Sequence, residues 1–230
     1  MTLAIMQPYL FPYIGYWQLI DAVDTFVIYD DVNYIKQGYI NRNSILNRNK
    51  VQQFTLELIG ASSNKLINEI NIGNSRKKLL KTIELNYKKA PYFKIVFPII
   101  QEVLMQDEKN LAKFIGYSLE KISAYLEIGT KFIYSSTIEK NNLLKGEEKI
   151  LEICKKMNAD KYINAIGGKV LYTKSIFKER DINLQFLETD LIEYKQFTNE
   201  FIPSLSIVDI MMFNSKYEIK YNILKRYNLI

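Results

Sequence analysis

The sequence predicts an α/β fold, with a Rossmann-like, mostly parallel sheet and a helical insertion. Short apolar runs typical of buried strands occur at residues 3–6, 26–29 and 161–166. Stretches whose apolar residues repeat at helical spacing lie between these runs. Strands that alternate with helices form parallel sheets, because a crossover between parallel strands needs a helix-sized connection.

The chain begins with a predicted β-α-β unit. The strand at residues 3–6 is followed by a short helix that reaches Ile20 and by a second strand at residues 26–29. That second strand ends abruptly in two adjacent aspartates. Residues 32–48 are polar and predict a long connection, a type of segment that often has a function when it is ordered.

An insertion at about residues 49–127 is predicted to follow. Partial alternation in residues 51–59 and a second candidate strand at residues 66–72 predict a β-hairpin. Ser75 is then a plausible N-cap for the first of several helices. Helical spacing predicts three of them: residues 75–90, 91–105 and 108–127.

A second group of strands and helices completes the predicted sheet. The predicted strands are residues 131–135, 161–166 and 182–187, and the predicted helices are residues 146–157, 172–179, 206–214 and 216–227. Neither an internal repeat nor a low-complexity linker separates the two groups. Residues 1–230 are therefore predicted to form a single domain.

Composition excludes several kinds of active site. The 230 residues include no histidine and one cysteine. Ser-His-Asp catalysis, Cys-His catalysis and histidine-ligated zinc are therefore excluded, and general base catalysis falls to Asp, Glu, Lys or Tyr. Cys154 lies among apolar residues of a predicted helix, so we expect it to be buried. The sequence predicts no metal site.

Charge and hydropathy set expectations for partners and location. The net charge of +6 permits an anionic partner, such as a sugar nucleotide, without requiring one. The single cysteine suits a reducing compartment. Neither a secretory signal nor an apolar run of roughly 18 residues is present, so a cytoplasmic protein without a membrane span is expected.

Four segments of the chain resemble the WbqC-like family. They are QPYLFPYIGYWQLI from residue 7, YDDVNYIKQGYINRN from residue 29, GGKVLY from residue 167 and FIPSLSIVDIMMFN from residue 201. They follow the family's order and extend over nearly the whole chain. Some members carry His before the first Gln-Pro; this chain has Met6, so a role for that imidazole does not apply here.

The resemblance implies a transferase of bacterial O-antigen, lipopolysaccharide or other surface-polysaccharide biosynthesis. The role proposed for some members is attachment of glycine to an amino sugar. The implied reaction is aminoacyl (glycyl) transfer to the amino group of a nucleotide-linked amino sugar, which forms an amide. The glycine donor is either free glycine with ATP or a charged tRNA. The sequence identifies no cofactor and no oligomeric state.

Two alternatives stay open. One is a noncatalytic protein that binds a sugar nucleotide or glycan. The other is a nucleotidyltransferase-like enzyme, which would require a divalent cation at Asp30 and Asp31. The histidine signature typical of that second class is missing from this chain.

Asp30, Asp31 and Gln7 are the candidate catalytic residues. Gln7 follows the first strand and the aspartates follow the second, so all three are expected where open α/β sheets bind ligands. Amide formation needs a base for the sugar ammonium, which we assign to Asp30 or Asp31, and donors for a tetrahedral oxyanion, such as Gln7, Asn41 or glycine amides. Adjacent strand residues point in opposite directions, so one aspartate at most is expected to face the ligand. The alternative for the pair is a turn or a cap.

A polar triplet and a glycine pair are candidate substrate-binding residues. Arg42 offers a guanidinium for phosphate or carboxylate, and its neighbours Asn41 and Asn43 offer amides. The alternative is a solvated loop, because residues 47–49 repeat the Asn-Arg-Asn triplet. The glycine pair lies after a strand and lets a phosphate or sugar approach backbone N–H groups; the alternative is a tight left-handed turn. This second group consists of Gly167, Gly168 and Tyr172.

Aromatic residues and one further aspartate complete the candidates. Tyr9 and Tyr13 begin an aromatic series at helical spacing, which is more often core than ligand platform. Tyr9, between two prolines, is expected to be the most exposed of the series and, with Tyr13, to contact substrate. Asp209 shares a helix face with Ser206, a candidate N-cap. Asp209 is assigned to substrate binding and needs a partner if it is buried.

Overall fold

A computed structural model describes residues 1–197 and 200–230. The strands are β1 (Thr2–Met6), β2 (Thr25–Ile28), β3 (Arg42–Asn47), β4 (Lys50–Thr55), β5 (Leu58–Ile59), β6 (Asn71–Ile72), β7 (Lys131–Tyr134), β8 (Lys161–Ala165), β9 (Asn183–Thr189) and β10 (Tyr227–Leu229). The helices are α1 (Ile14–Asp21), α2 (Arg76–Tyr87), α3 (Phe93–Met105), α4 (Leu111–Leu126), α5 (Gly146–Lys156), α6 (Lys174–Lys178), α7 (Ile207–Phe213) and α8 (Lys216–Glu218).

Six strands form the central sheet, in the order β10-β9-β8-β1-β2-β7. The strands from β9 to β7 are parallel, and β10 is antiparallel to β9. The predicted α/β class and mostly parallel sheet are confirmed, and all five predicted core strands belong to it. The helix predicted to extend to Tyr227 is wrong at its end, because Tyr227 begins β10 and pairs with Thr189.

Both faces of the sheet are buried, which explains why its central strands are apolar throughout. One face packs against α5 and α6 and includes Leu3, Ile5 and Val27. The other face packs against α1, α7 and the insertion. Cys154 lies in the first of these cores, as expected, and burial raises the pKa of its thiol to about 12.

The insertion begins directly after β2 and starts with a hairpin that the sequence did not predict. β3 pairs with β4 in antiparallel register, so the long connection expected at residues 32–48 is wrong from Arg42 onward. Arg48 and Asn49 have positive φ angles of 45° and 64°, the geometry of a two-residue hairpin turn. The repeated Asn-Arg-Asn triplet is therefore the turn of this hairpin.

A second small sheet replaces the hairpin expected within residues 49–72. β5 pairs with β6, while β4 is already paired with β3. The strand expected at residues 66–72 is instead a 3-10 turn at Ile67–Glu69 followed by β6. The Glu69 carboxylate accepts a hydrogen bond from the Leu66 N–H at 2.8 Å, which favours the turn over a strand.

The helices lie where the sequence predicts them, with shifts of a few residues at their ends. Ser75 occupies the N-cap position of α2, but its hydroxyl accepts from the Glu57 N–H at 3.0 Å and caps no helix N–H. α6 begins at Lys174 rather than residue 172, because the Thr173 N–H donates to Glu147 Oε1 outside the helix. In the described residues, no helix is long and apolar enough to cross a bilayer.

Candidate functional site

The strand order of the sheet reverses between β1 and β8. From β1 the chain adds β2 and β7 on one side, then crosses to the other side with β8 and β9. In open α/β sheets, ligands bind outside the carboxyl ends of the strands at such a point. Gln7 follows β1, Tyr29 follows β2 and Ile166 follows β8. We call the region outside these three residues the switch-point crevice.

Gln7 provides this crevice with an uncommitted amide. The Gln7 main-chain oxygen accepts a hydrogen bond from the Tyr16 hydroxyl at 2.8 Å, but the side chain makes none with a described residue. Alternation along β1 places Gln7 on the same sheet face as Leu3 and Ile5, which α5 and α6 cover. Gln7 therefore lies at the strand end where the sequence places it, with its amide free to donate.

Asp30 is buried, and its hydrogen bonds link the end of β2 to the segment after β7 and to the insertion. Its carboxylate accepts from the Ser136 N–H at 2.9 Å, from the Ser136 hydroxyl at 2.6 Å and from Asn68 Nδ2 at 3.3 Å. Ser136 follows β7 and Asn68 lies in the insertion, so Asp30 joins both to the end of β2. Asp30 is 2% exposed, which leaves its carboxylate almost no surface for a substrate.

Asp31 has partners different from those of Asp30. Its Oδ2 lies 2.8 Å from Lys140 Nζ and 3.2 Å from Lys149 Nζ, and these three side chains are 10% exposed or less. Burial raises the pKa of Asp31, but Lys140, Ser135 and Lys149 outweigh burial and hold it below its usual value. We call Asp31, Lys140 and Lys149 the lysine cluster.

The lysine cluster extends to the crevice through Tyr29. Lys149 Nζ lies 5.3 Å from the centre of the Tyr29 ring. Burial, with Asp31 and Tyr172 nearby, raises the pKa of Tyr29, so its phenol stays protonated near neutral pH. Asp31 Oδ1 is buried and has no partner with hydrogen-bond geometry among the described residues. The Asp31 carboxylate and a neutral phenol thus lie together beside two ammonium groups.

The two glycines after β8 have different surroundings. A β-carbon on Gly168 would lie 2.9 Å from Asn164 Cγ and closer still to its amide nitrogen, whereas one on Gly167 would meet no described atom within 4 Å. Neither glycine has a positive φ, so the alternative of a left-handed turn is wrong. A side chain at residue 168 would overlap Asn164, so glycine is required there. Of the two positions, only Gly167 has open space that a ligand could occupy. Tyr172 packs edge-on against Tyr162, with ring centres 6.0 Å apart.

Asn41 and Arg42 make contacts within the chain. Asn41 Oδ1 accepts from the Tyr34 hydroxyl at 2.8 Å, and Asn41 Nδ2 donates to the Leu56 main-chain oxygen at 2.8 Å. Arg42 Nε donates to the Gly38 main-chain oxygen at 2.8 Å. Asn41 therefore has both ends of its amide occupied, while the terminal nitrogens of Arg42 make no hydrogen bond or ion pair with a described residue.

Three of the motif segments meet at Phe11, in the loop between β1 and α1. The Phe11 main-chain oxygen accepts from Asn43 Nδ2 at 2.8 Å and from the Ser206 hydroxyl at 2.7 Å. The Pro12 main-chain oxygen accepts from the first N–H of α7 at 2.9 Å. Phe11 is fully buried with a φ of 46°, a costly conformation for a bulky residue that these contacts hold in place.

A cavity of about 240 Å³ lies beside this loop, and we call it the tyrosine cavity. Its lining consists of Tyr9, Pro12, Tyr13, Tyr39, Asn43 and Ser204. Tyr13 is the exposed member of the aromatic series at 39%, while Tyr9 is half-buried against Tyr16, with ring centres 5.5 Å apart. The expectation that Tyr9 is the most exposed is wrong, because the left-handed turn at Phe11 ends the helical spacing before α1 begins.

Asp209 is the acceptor at the centre of a closed cluster. Its carboxylate accepts from the Tyr87 hydroxyl at 2.7 Å, the Tyr194 hydroxyl at 2.7 Å and Gln196 Nε2 at 2.9 Å. Burial raises the pKa of Asp209 despite these bonds. The expectation that a buried Asp209 has partners is confirmed. At 0% exposed, Asp209 has no surface for the substrate contact expected from the sequence.

The lysines of the site were not identified from the sequence. Lys149 lies four residues before Ile153, on a helix face that is otherwise apolar. A lysine at such a position is a recognisable signal for a buried ion pair. Lys140, Tyr39 and Ser204 lie outside regular helices and strands, and no periodic pattern marks them.

Comparison with known proteins assigns the chain to a family. Residues 7–221 match the WbqC-like protein family, from Gln7 to beyond the last motif segment. The chain belongs to the WbqC-like protein family. A protein of Mycobacterium tuberculosis (strain ATCC 25618 / H37Rv), named as uncharacterized, is 28% identical to this WbqC-like chain over 214 residues, 90% of this chain and 91% of that protein. No solved structure matches.

Proposed function

We propose that this WbqC-like protein is an aminoacyl (glycyl) transferase of bacterial O-antigen and surface-glycan biosynthesis. It joins glycine to the amino group of a nucleotide-linked amino sugar through an amide bond. Membership of the WbqC-like family supports the pathway. The observation that carries the reaction is the free amide of Gln7 at the end of β1, where the strand order reverses and where the paired strand β2 leads to Asp31 of the lysine cluster.

The Gln7 amide is suited to the oxyanion of acyl transfer. The sugar nitrogen attacks the glycyl carbonyl carbon, a C–N bond forms, and the carbonyl oxygen becomes an oxyanion. The bond to the donor's leaving oxygen then breaks, and the nitrogen loses a proton. A preorganised N–H donor aimed at the oxyanion stabilises this sequence more than it stabilises the substrate. Gln7 Nε2 has no competing partner among the described residues.

Asp31 is the proposed proton acceptor, and Asp30 the residue that positions it. Asp30 is 2% exposed and accepts hydrogen bonds from Ser136 and Asn68, whereas the Asp31 side chain is 10% exposed and lies against Lys140 and Lys149. The lowered pKa of Asp31 makes it a weak base. A base this weak does not deprotonate the sugar ammonium, so the sugar reacts as the free amine present in solution. Asp31 then takes the second proton, which is strongly acidic once the nitrogen has attacked the carbonyl.

The lysine cluster is the proposed site of attraction for the nucleotide phosphates. Two ammonium groups share one carboxylate, so the cluster has an excess of one positive charge. Buried charge acts over a longer range than exposed charge because water screens it less. Lys140 is 1% exposed and Lys149 7%, so Lys149 is the better placed to touch a ligand.

The contacts of Asp30 and Asp31 give less support to the alternative of a nucleotidyltransferase-like enzyme. It needs a divalent cation at Asp30 and Asp31, yet Asp31 already faces two ammonium groups. The Asp30 carboxylate is occupied by N–H and O–H donors. A cation would have to displace these groups from both residues. The noncatalytic reading, by contrast, predicts binding without turnover and is decided by experiment.

Mass spectrometry of reaction mixtures tests the proposed function. The protein is incubated with a nucleotide-linked amino sugar and either glycine with ATP or glycyl-tRNA. The expected result is a sugar nucleotide heavier by one glycyl group with one of the two donors. The matched control is the N-acetylated sugar nucleotide, which lacks the free amine. Binding of the sugar nucleotide without product from either donor would favour the noncatalytic reading instead.

A further inference from the structure

The tyrosine cavity has a lining without charge. Its six residues are three tyrosines, a proline, an asparagine and a serine. Neither a lysine, an arginine nor a carboxylate is among these described residues, which distinguishes the cavity from the lysine cluster. Phosphate recognition by side chains ordinarily uses cations, and this lining has none.

We infer that the tyrosine cavity binds the pyranose ring of a saccharide, through stacking of its C–H face on tyrosine rings. The inference rests on the proposed function for the class of sugar, an amino sugar, and extends it by locating the ring. Tyr9 and Tyr39 have ring centres 6.3 Å apart with a 51° angle between planes. Two tilted rings present a concave aromatic surface, which suits a puckered ring better than a flat base.

The exposure of the tyrosine rings supports a ligand at this position. Tyr39 is 58% exposed and Tyr13 39% exposed, although both border a concave surface. Covering exposed aromatic area with a ring that has an apolar face is favourable. Single exposed apolar residues are normal, but several converging on one cavity are typical of a binding site.

The phenols can also recognise sugar hydroxyls. Burial raises the pKa of Tyr9, and Tyr13 and Tyr39 add to the effect; burial also raises the pKa of Tyr13. These hydroxyls therefore stay protonated and can both donate and accept hydrogen bonds. Asn43, by contrast, has its Nδ2 committed to Phe11 and its Oδ1 to the Ser44 N–H, so it contributes shape more than hydrogen bonds.

Gly15 packs against the side chain of Tyr13, which forms one wall of the tyrosine cavity. A β-carbon on Gly15 would lie 2.7 Å from two atoms of the Tyr13 ring, Cε2 and the hydroxyl oxygen, and 2.6 Å from Thr189 Oγ1. Gly15 does not line the cavity. Gly15→Ala is therefore expected to move the Tyr13 ring without changing any residue of the lining.

Saturation-transfer NMR with methyl glucosaminide, a free amino sugar glycoside, tests the inference without turnover. Irradiation of the tyrosine rings is expected to transfer saturation to the ring C–H protons of the sugar. Tyr39→Ala should weaken binding roughly fivefold to tenfold, Tyr39→Phe should bind within about twofold, and Gly15→Ala should weaken binding. Tyr217→Ala is the matched control, because Tyr217 is also exposed but packs against Tyr221 on α8 and the turn after it.

Three results would overturn the inference. They are the absence of transfer to the sugar at millimolar concentration, unchanged binding in Tyr39→Ala, and preferential binding of tetramethylammonium, which aromatic cages also accept. Failure of the proposed function is distinguishable from these. A protein that binds the glycoside through Tyr39 but forms no glycyl product supports the cavity and not the transferase. A protein that forms product with an unchanged Michaelis constant in Tyr39→Ala supports the transferase and not the cavity.

Discussion

Lys149 contacts Asp31 at two points: its Nζ lies 3.2 Å from Asp31 Oδ2 and 3.1 Å from the Asp31 main-chain oxygen. Lys149 belongs to α5 and Asp31 follows β2, so this pair fixes the helix against the end of the strand. Lys140 completes the cluster from the segment after β7. The charges beside the switch-point crevice are therefore held by three separate parts of the chain.

Replacing Asp31 with Asn is expected to affect both stability and turnover. Removing one partner of a buried ion pair costs about 3–5 kcal/mol in measured cases, and here two ammonium groups lose their carboxylate. Loss of the proposed proton acceptor should lower turnover by about a hundredfold or more. Urea denaturation and single-turnover assays at a temperature where the variant is folded measure the two effects separately.

Asp30→Asn is the matched control for that experiment. It keeps a side chain of the same shape but places an N–H₂ group against the donors of Ser136 or Asn68, at a cost of about 1–3 kcal/mol. Turnover should fall far less than in Asp31→Asn. Equal activity in both variants and in the natural protein would remove the two aspartates from the mechanism.

Asp31 and Asp209 are expected to give stability opposite dependences on pH. The pKa of Asp31 is lowered in the folded state, so its stabilisation is present above about pH 4 and is lost as pH falls through the folded value. The pKa of Asp209 is raised, so its contribution is lost as pH rises from about 4 through its folded value. Urea midpoints measured from pH 3 to 7 should therefore fall less steeply on the acid side in Asp31→Asn than in the natural protein. Asp209→Asn should instead lose a decline toward neutral pH; identical profiles in all three proteins would contradict both directions.

Gln7→Ala is expected to lower the catalytic rate and leave folding unchanged. The side chain makes no hydrogen bond with a described residue, so its loss should move the melting temperature very little. Removing one oxyanion donor typically costs about 10² to 10³ in rate. Steady-state kinetics should show the loss in kcat with a nearly constant Michaelis constant, and a purely structural Gln7 would show the reverse: normal kcat and a lower melting temperature.

The core of the fold was predictable because its signals are local. The strands of the central sheet are short apolar runs, and the long helices have regular apolar spacing. β3 escaped prediction because four of its six residues are polar and do not alternate with apolar ones, and β10 because its partner β9 lies far away in the chain. β10 is stabilised by pairing with a strand that is distant in sequence, and β3 by pairing with β4 across the turn at Arg48 and Asn49.

The candidate site was only partly predictable, for a related reason. Gln7 and the aspartates follow strands, so topology alone places them at the sheet edge. The hydrogen bonds that occupy the Asn41 and Asn43 side chains are made with residues far away in sequence, such as Leu56 and Phe11. The same is true of the partners of Asp31, which come from residues 140 and 149. Whether a side chain is free to bind substrate depends on its partners in the folded chain, and a local sequence pattern does not predict those partners.

The glycine pair after β8 gives the last prediction. Gly168→Ala should destabilise the protein by about 1–3 kcal/mol, because its β-carbon would overlap the Asn164 amide. Gly167→Ala should be neutral for stability, since no described atom lies within 4 Å of its β-carbon, yet it should weaken sugar-nucleotide binding if a ligand occupies that space. The double variant Asn164→Ala/Gly168→Ala should cost less than the sum of its single changes, because the clash is already gone. Chemical denaturation and calorimetric titration of the natural protein and the four variants, Asn164→Ala included, measure these effects. Additive costs in the double variant would show that Asn164 is not the reason for glycine at 168.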